Sequence, residues 1–271
     1  MYKLIALDMD GTLLKDDKTI SKANFEAIKS AKNNGYKVVL ATGRPAKGIE
    51  KYLEQLDLMG DDDYAVAFNG AIVQKTKNGH VIAKNLMQYE DLQKIYDLSL
   101  KLKLNVHALT TDNECITPKI NPYSQHEALM NDLTIIEKPF SAIDKNKNIV
   151  KIMLVDSKEN LDKAKNLIPK EFHDKYTVVR SEDIFLEFLN KRVDKGFGIK
   201  LLAQNLGLSQ DEIICVGDAG NDIAMVKYAG LGVAMGNAFP EVKEICNYVT
   251  KSNEEDGVAH VINKFMLNQA S

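Results

Sequence analysis

Asp8-Met9-Asp10-Gly11-Thr12 places two carboxylates two residues apart, directly after the apolar run Leu4–Leu7. On an extended chain residues i and i+2 project to the same side, with Cα atoms about 6.6 Å apart. One such carboxylate can ligate a divalent cation or attack a phosphorus atom while the other exchanges a proton with the leaving oxygen. Gly11 permits a sharp turn that presents backbone amides to an anion. Taken alone, the segment is equally an ordinary Asp/Gly turn after a strand. A calcium loop of the EF-hand type is excluded, because setting Gly11 at its sixth position puts Ala6 where the first carboxylate belongs.

Three further segments carry compatible chemistry. Thr42-Gly43-Arg44 brings a hydroxyl and free amides to the start of a helix, which suits a phosphate oxygen, although a capping Thr accounts for it equally. Gly217-Asp218-Ala219-Gly220-Asn221-Asp222 sets three polar side chains on a glycine-flanked turn, enough to complete the oxygen shell of a hard cation. Lys195, in Asp194-Lys195-Gly196, opens a helix and by itself reads as a solvated lysine.

These segments need a common edge, and the hydropathy pattern supplies one. Short apolar runs alternate with longer amphipathic stretches, the pattern of βαβ units around a parallel sheet. Ligands of such sheets bind in the crevice at the carboxyl ends of the strands. Strands are expected at Leu4–Asp8, Lys37–Ala41, Ala65–Phe68, Ala71–Gln74, Ile213–Val216 and Gly232–Ala234. Helices are expected at Asn24–Asn33 behind an N-cap at Ser21, from Pro45 toward Leu56, and over Lys195–Asn205, Ile223–Ala229 and Pro240–Cys246. Asn69-Gly70 reads as a tight turn between two of the strands. From about Ala83 to Leu189 the grammar changes to antiparallel or mixed, with a strand at Val150–Val155 beside a helix at Asn160–Ile168. The fold class is therefore α/β: a Rossmann-like parallel-sheet core, 1–83 plus 190–271, with an α+β unit, 84–189, inserted into it.

Taken in order, Asp8-x-Asp10-Gly11-Thr12, Thr42-Gly43-Arg44, Lys195-Gly196 and Gly217-Asp218-x-x-Asn221-Asp222 resemble the four motifs of the haloacid dehalogenase (HAD) phosphatase superfamily. Asn69-Gly70-Ala71 and Ser252-Asn253-x-x-Asp256-Gly257-Val258 are similar to the Cof subfamily, whose cap domain is inserted between the second and third motifs. The likeness runs along essentially the whole chain. Lys191-Arg192-Val193 is close to the sugar-phosphate phosphatases of that subfamily, while Leu189-Asn190-Lys191 and Asp194 depart from the Pro and Ser that many members carry there. The resemblance implies that Asp8 is the nucleophile, forming an aspartyl-phosphate, and that Asp10 protonates the leaving alkoxide and then activates water. It implies Mg²⁺ held by Asp8, the Asp10 carbonyl and Asp218, with Asp222 in support. The Met9 and Gly43 backbone, Thr42, Lys195 and Asn221 would cradle the phosphoryl oxygens. With Mg²⁺ keeping Asp8 ionised, crowding by like charges would leave Asp10 partly protonated. Arg44 is expected to be a helix-surface partner rather than a substrate contact.

Composition bounds the rest. Of 271 residues, 45% are hydrophobic and 27% charged, so the chain can bury a sizeable core. Lys+Arg 35 against Asp+Glu 38 leaves no excess of positive charge for a nucleic-acid backbone. Cys115, Cys215 and Cys246 form no C-x-x-C pair, so neither a disulfide framework nor a zinc knuckle is expected. No stretch approaches the roughly 18 apolar residues of a membrane span. A cytoplasmic protein with no membrane or nucleic-acid partner, monomeric or homodimeric, is expected. The five histidines lack metal or triad spacing; His107 and His126, near Tyr123-Ser124-x-His126-Glu127, are the two considered for substrate contact. The expected function is a Mg²⁺-dependent phosphatase for phosphomonoesters of small metabolites, sugar phosphates above all, with a cap that closes over them. Alternatives are a phosphotransferase or phosphomutase on the same chemistry, or a metabolite-binding regulator, against which the retained Asp10 argues.

Overall fold

The computed structural model describes residues 1–267. It divides into two compact units: Met1–Ala46 with Glu50–Lys84 and the chain from Asp194 onward, and Lys47–Ile49 with Asn85–Val193. The first unit opens with strands β1 (Leu4–Leu7), β2 (Lys37–Ala41) and β3 (Tyr64–Ala67), then β4 (Ile72–Lys75) and β5 (Val81–Lys84). The second holds β6 (Asn105–Thr110), β7 (Glu114–Thr117), β8 (Thr134–Glu137), β9 (Ile149–Val155), β10 (Tyr176–Glu182) and β11 (Phe185–Asn190). The chain returns to the first unit with β12 (Ile213–Gly217), β13 (Leu231–Ala234) and β14 (Tyr248–Val249).

The first unit's sheet runs β14-β13-β12-β1-β2-β3-β4-β5. It is parallel from β14 to β3 and antiparallel over β3, β4 and β5. Every residue of β1 and β12 is buried, as expected of parallel strands covered on both faces, which is why both read as unbroken apolar runs. β1 lies between β2 and β12, so strand order reverses there, and the crevice at such a switch point is where ligands bind.

Capping fixes the helices around this sheet. Ser21 accepts from the Asn24 amide at the start of Lys22–Asn33, and Asp194 accepts from the Phe197 amide at the start of Lys195–Leu206. Two helices differ from expectation. Pro45 stands outside any helix; a 3₁₀ turn over Lys47–Ile49 leads into Glu50–Gln55. The Arg44 carbonyl is taken by the Phe68 amide (3.0 Å) and the Arg44 amide by Thr42 Oγ1 (3.1 Å), which commits this backbone to a neighbouring turn. The helix from Pro240 ends at Lys243, because Asn247 is drawn into pairing with Gly232.

The second unit's sheet, β10-β11-β9-β6-β7-β8, is antiparallel apart from the β7–β8 pair. The unit extends to Val193 rather than stopping at 189, since β11 pairs through Asn190 and the Val193 amide turns back on the Asn190 carbonyl. Its interior holds charge. Lys151 Nζ lies 2.9 Å from Glu187 Oε1 and 3.7 Å from Glu127 Oε1, with all three side chains 4% exposed. Burial acts to lower the Lys151 pKa, but the two carboxylates outweigh it and keep the ammonium charged. Removing one partner of such a group strands buried charge. Lys151→Met should therefore lower unfolding stability by about 3–5 kcal/mol, read from denaturant midpoints. A loss below about 1 kcal/mol, the scale of an exposed pair, would refute the role given to this bridge.

Candidate active site

Asp8 follows β1 and Asp218 follows β12, the two strands paired in register from Leu4↔Ile213 to Leu7↔Val216. That pairing brings residues 210 positions apart in sequence to one strand edge. The Asp8 amide donates to the Val216 carbonyl (3.0 Å), and Thr12 Oγ1 donates to Asp218 Oδ1 (2.8 Å). Between them, Gly11 has φ +81° and faces Asp218 so closely that a Cβ would stand 2.5 Å from its Oδ2. Only glycine meets both demands.

Lys195, wholly buried at the first turn of its helix, closes the cluster. Its Nζ donates to Asp8 Oδ1 at 2.5 Å and to Asp222 Oδ1 at 2.6 Å. Asp222 Oδ2 accepts from the Asp218 and Ala219 amides (2.9 and 3.0 Å), so both oxygens of this carboxylate are already engaged. By itself Lys195 reads as a solvated lysine; in the fold it is, among the described residues, the cation bonded to Asp8. Burial acts to lower its pKa, while Asp222 and Asp8 hold it above the ordinary lysine value. Burial and then the charge of Asp222 push the Asp8 carboxyl well above the usual carboxylate range, and burial raises Asp218.

Asp10 behaves in the opposite way from what like-charge crowding predicts. Arg44 grips it with both ends, Nε to Oδ2 at 2.9 Å and Nη2 to Oδ1 at 2.7 Å, and Lys18 Nζ adds a third contact at 2.7 Å. Burial acts to raise its pKa, but the Arg44 and Lys18 hydrogen bonds outweigh that and hold it below the ordinary value. The crowding falls on Asp8 instead. Arg44 is thus a partner of Asp10 and not a helix-surface residue, because the helix begins beyond it.

Thr42 is buried after β2, its amide bonded to the Val66 carbonyl (2.9 Å). Gly43 approaches Asn69, and the Asn69 carboxamide Oδ1 accepts from Asn221 Nδ2 (3.1 Å). The Met9 side chain is fully buried, which leaves its backbone as its contribution to the strand end. Asp8, Asp218 and Asp222 each offer a ligand atom, all within 4.8 Å of one another. Three carboxylates against one ammonium, with two of the three held at raised pKa, is a donor set that a hard divalent cation fits.

His107 and His126 belong to the second unit. His107 is wholly buried, with Nδ1 2.9 Å from Ser124 Oγ and Nε2 3.2 Å from Met153 Sδ, and burial pushes its pKa down to about 3. It is a neutral interior group. Ser124 and Glu127 of the stretch beside it are buried too, while His126 is exposed against the Phe185 ring.

An aspartate cluster bridged by a buried lysine thus lies at the switch point of the parallel sheet. The chain belongs to the haloacid dehalogenase-like hydrolases, whose family model matches residues 5–262, and the Cof-type assignment drawn from its motifs holds. It is 43% identical over 269 residues to YxeH of Bacillus subtilis (strain 168), by its name a candidate phosphatase, covering 98% of this chain and 99% of that one. It is 32% identical over 265 residues to YcsE of the same organism, a 5-amino-6-(5-phospho-D-ribitylamino)uracil phosphatase, covering 98% and 96%. Its fold matches that of a haloacid dehalogenase-like hydrolase from Bacteroides thetaiotaomicron with a TM-score of 0.87 at 32% identity, over 98% of this chain and all of the other. The protein is an enzyme of the HAD phosphatase type. Among the described residues no helix is long and apolar enough to cross a membrane.

Proposed function

We propose that the protein is a Mg²⁺-dependent phosphomonoesterase for small phosphorylated metabolites, sugar phosphates foremost, working through an aspartyl-phosphate at Asp8. The observation that carries this reading is the Asp8–Lys195–Asp222 chain of contacts beside Asp218 at the switch point. The ester carried by a ribityl chain in the name of the relative YcsE supports a polyhydroxylated leaving group. We read the second unit as the cap that would select that group.

In this reading a carboxylate oxygen of Asp8 attacks phosphorus and the ester oxygen leaves with a proton from Asp10. Water then attacks the same phosphorus, Asp10 takes its proton, and phosphate is released with Asp8 restored. Lys195 neutralises charge on the transferring group, and Thr42, the Met9 and Gly43 amides and Asn221 orient its oxygens. Asp10 has to exchange Arg44 and Lys18 for the leaving oxygen before it can act as an acid, since both cations favour its ionised form. Asp8, Asp218 and the Asp10 carbonyl would hold Mg²⁺, with Asp222 in support, and the ion would offset the phosphoryl charge that three carboxylates otherwise repel.

Phosphate release from a panel of sugar and polyol phosphates tests the reading. Turnover is expected with Mg²⁺, is lost in EDTA, and returns when Mg²⁺ is restored. Turnover indifferent to EDTA would remove the metal from the proposal. Products carrying the phosphoryl group on an added alcohol, with little free phosphate, would make the enzyme a transferase.

A further inference from the structure

The Asn69-Gly70 turn is built at a cost. Phe68, Asn69 and Gly70 all have positive φ, 51°, 54° and 96°, and left-handed backbone at two successive non-glycine residues stores strain of a kind found at functional sites. The segment touches three of the four catalytic motifs. The Asn69 amide donates to the Thr42 carbonyl (2.8 Å) and the Phe68 amide to the Arg44 carbonyl (3.0 Å), fixing the loop after β2. Gly70 packs against Asp194, the residue capping the Lys195 helix, where any Cβ would collide with its carbonyl oxygen. Asn69 Oδ1 accepts from Asn221 Nδ2 (3.1 Å), and Gly43 sits so near that a Cβ there would stand 3.2 Å from Asn69 Nδ2. Asn69 itself is 8% exposed.

We propose that Asn69 is a positioning residue of the phosphoryl cradle. Its carbonyl oxygen holds the Asn221 carboxamide with one N–H bonded and the other free for a phosphoryl oxygen, and its main chain holds Thr42 and Gly43 in place. This assignment rests on the phosphatase reading above.

Side chain and backbone can be tested apart. Asn69→Gly tolerates the left-handed conformation and removes only the carboxamide. Asn69→Asp keeps both the acceptor for Asn221 and the backbone preference but sets a negative charge beside the cradle. With p-nitrophenyl phosphate as substrate and inorganic phosphate as inhibitor, Asn69→Gly should raise KM and the inhibition constant for phosphate roughly tenfold, the scale of one hydrogen bond to a charged group. Its unfolding midpoint should stay near wild type, and Asn69→Asp should weaken phosphate further. In an Asn221→Ala background the effect of Asn69→Gly should shrink to under about twofold, because the two residues act as a unit. Wild-type KM and phosphate inhibition in Asn69→Gly, or full additivity with Asn221→Ala, would overturn the assignment while leaving the phosphatase reading intact. A wild-type protein that neither hydrolyses the ester nor binds phosphate would overturn both.

Discussion

Asp8→Asn should abolish turnover while leaving the fold intact. Loss of the nucleophile in a covalent catalyst costs on the order of 10⁶ in kcat, because the remaining groups can position a phosphate but have nothing to transfer it to. Asparagine is nearly isosteric and keeps an oxygen for Lys195, so substrate binding survives. Stability supplies an independent readout. The Asp8 carboxyl titrates well above its ordinary value in the fold, so the folded state binds the extra proton and stability falls as pH rises from the usual Asp range through that higher pKa. Removing the group removes the loss. EDTA-treated Asp8→Asn should therefore unfold later than EDTA-treated wild type at neutral pH, and the two should converge near pH 4. Turnover within tenfold of wild type would rule out Asp8 as nucleophile, whatever the melting curves show.

The second large effect belongs to Lys195→Met. This ammonium is wholly buried and bridges Asp8 and Asp222, both nearly inaccessible. Its removal leaves two buried carboxylates facing each other, and stranded charge of this sort costs about 3–5 kcal/mol. Unfolding midpoints should fall by roughly 10 °C at neutral pH for a chain of this size. The loss should be smaller in mild acid, since without the cation Asp8 takes up a proton more readily in the folded state, and stability then declines as pH rises. Lys195→Arg should not restore activity, because a planar guanidinium cannot replace a point charge between two convergent oxygens. A melting curve for Lys195→Met that matches wild type across this pH range would refute the central role given to the bridge.

Most of the sheet was legible because two-sided burial forces unbroken apolar runs. Lys37–Ala41 coincides with β2, and Ile213–Val216 lacks only the final Gly217 of β12. The site residues were legible by position, as polar segments at the ends of those runs. Their partners were not. That Arg44 closes on Asp10 depends on where a loop lies in space, and Pro45 misdirected the reading by suggesting a helix whose start the Phe68 turn forbids. The Lys151–Glu187–Glu127 cluster also went unread, although a lysine inside Ile149–Val155 and a glutamate inside Phe185–Asn190 were its visible signals. Polar residues on an apolar strand advertise burial with a partner, but no periodicity says which partner.

The placement of β1 between β2 and β12 also bears on how the chain comes into being. During synthesis Asp8 is made first, while Asp222 follows 214 residues later, roughly 10–40 s at ordinary elongation rates. Until β12 emerges, β1 can pair on one side only, and its Leu-Ile-Ala-Leu edge stays open to whatever strand meets it. The nascent chain thus spends that interval with β1 half-paired, and the Asp8–Lys195–Asp222 bridge can form only when the interval closes.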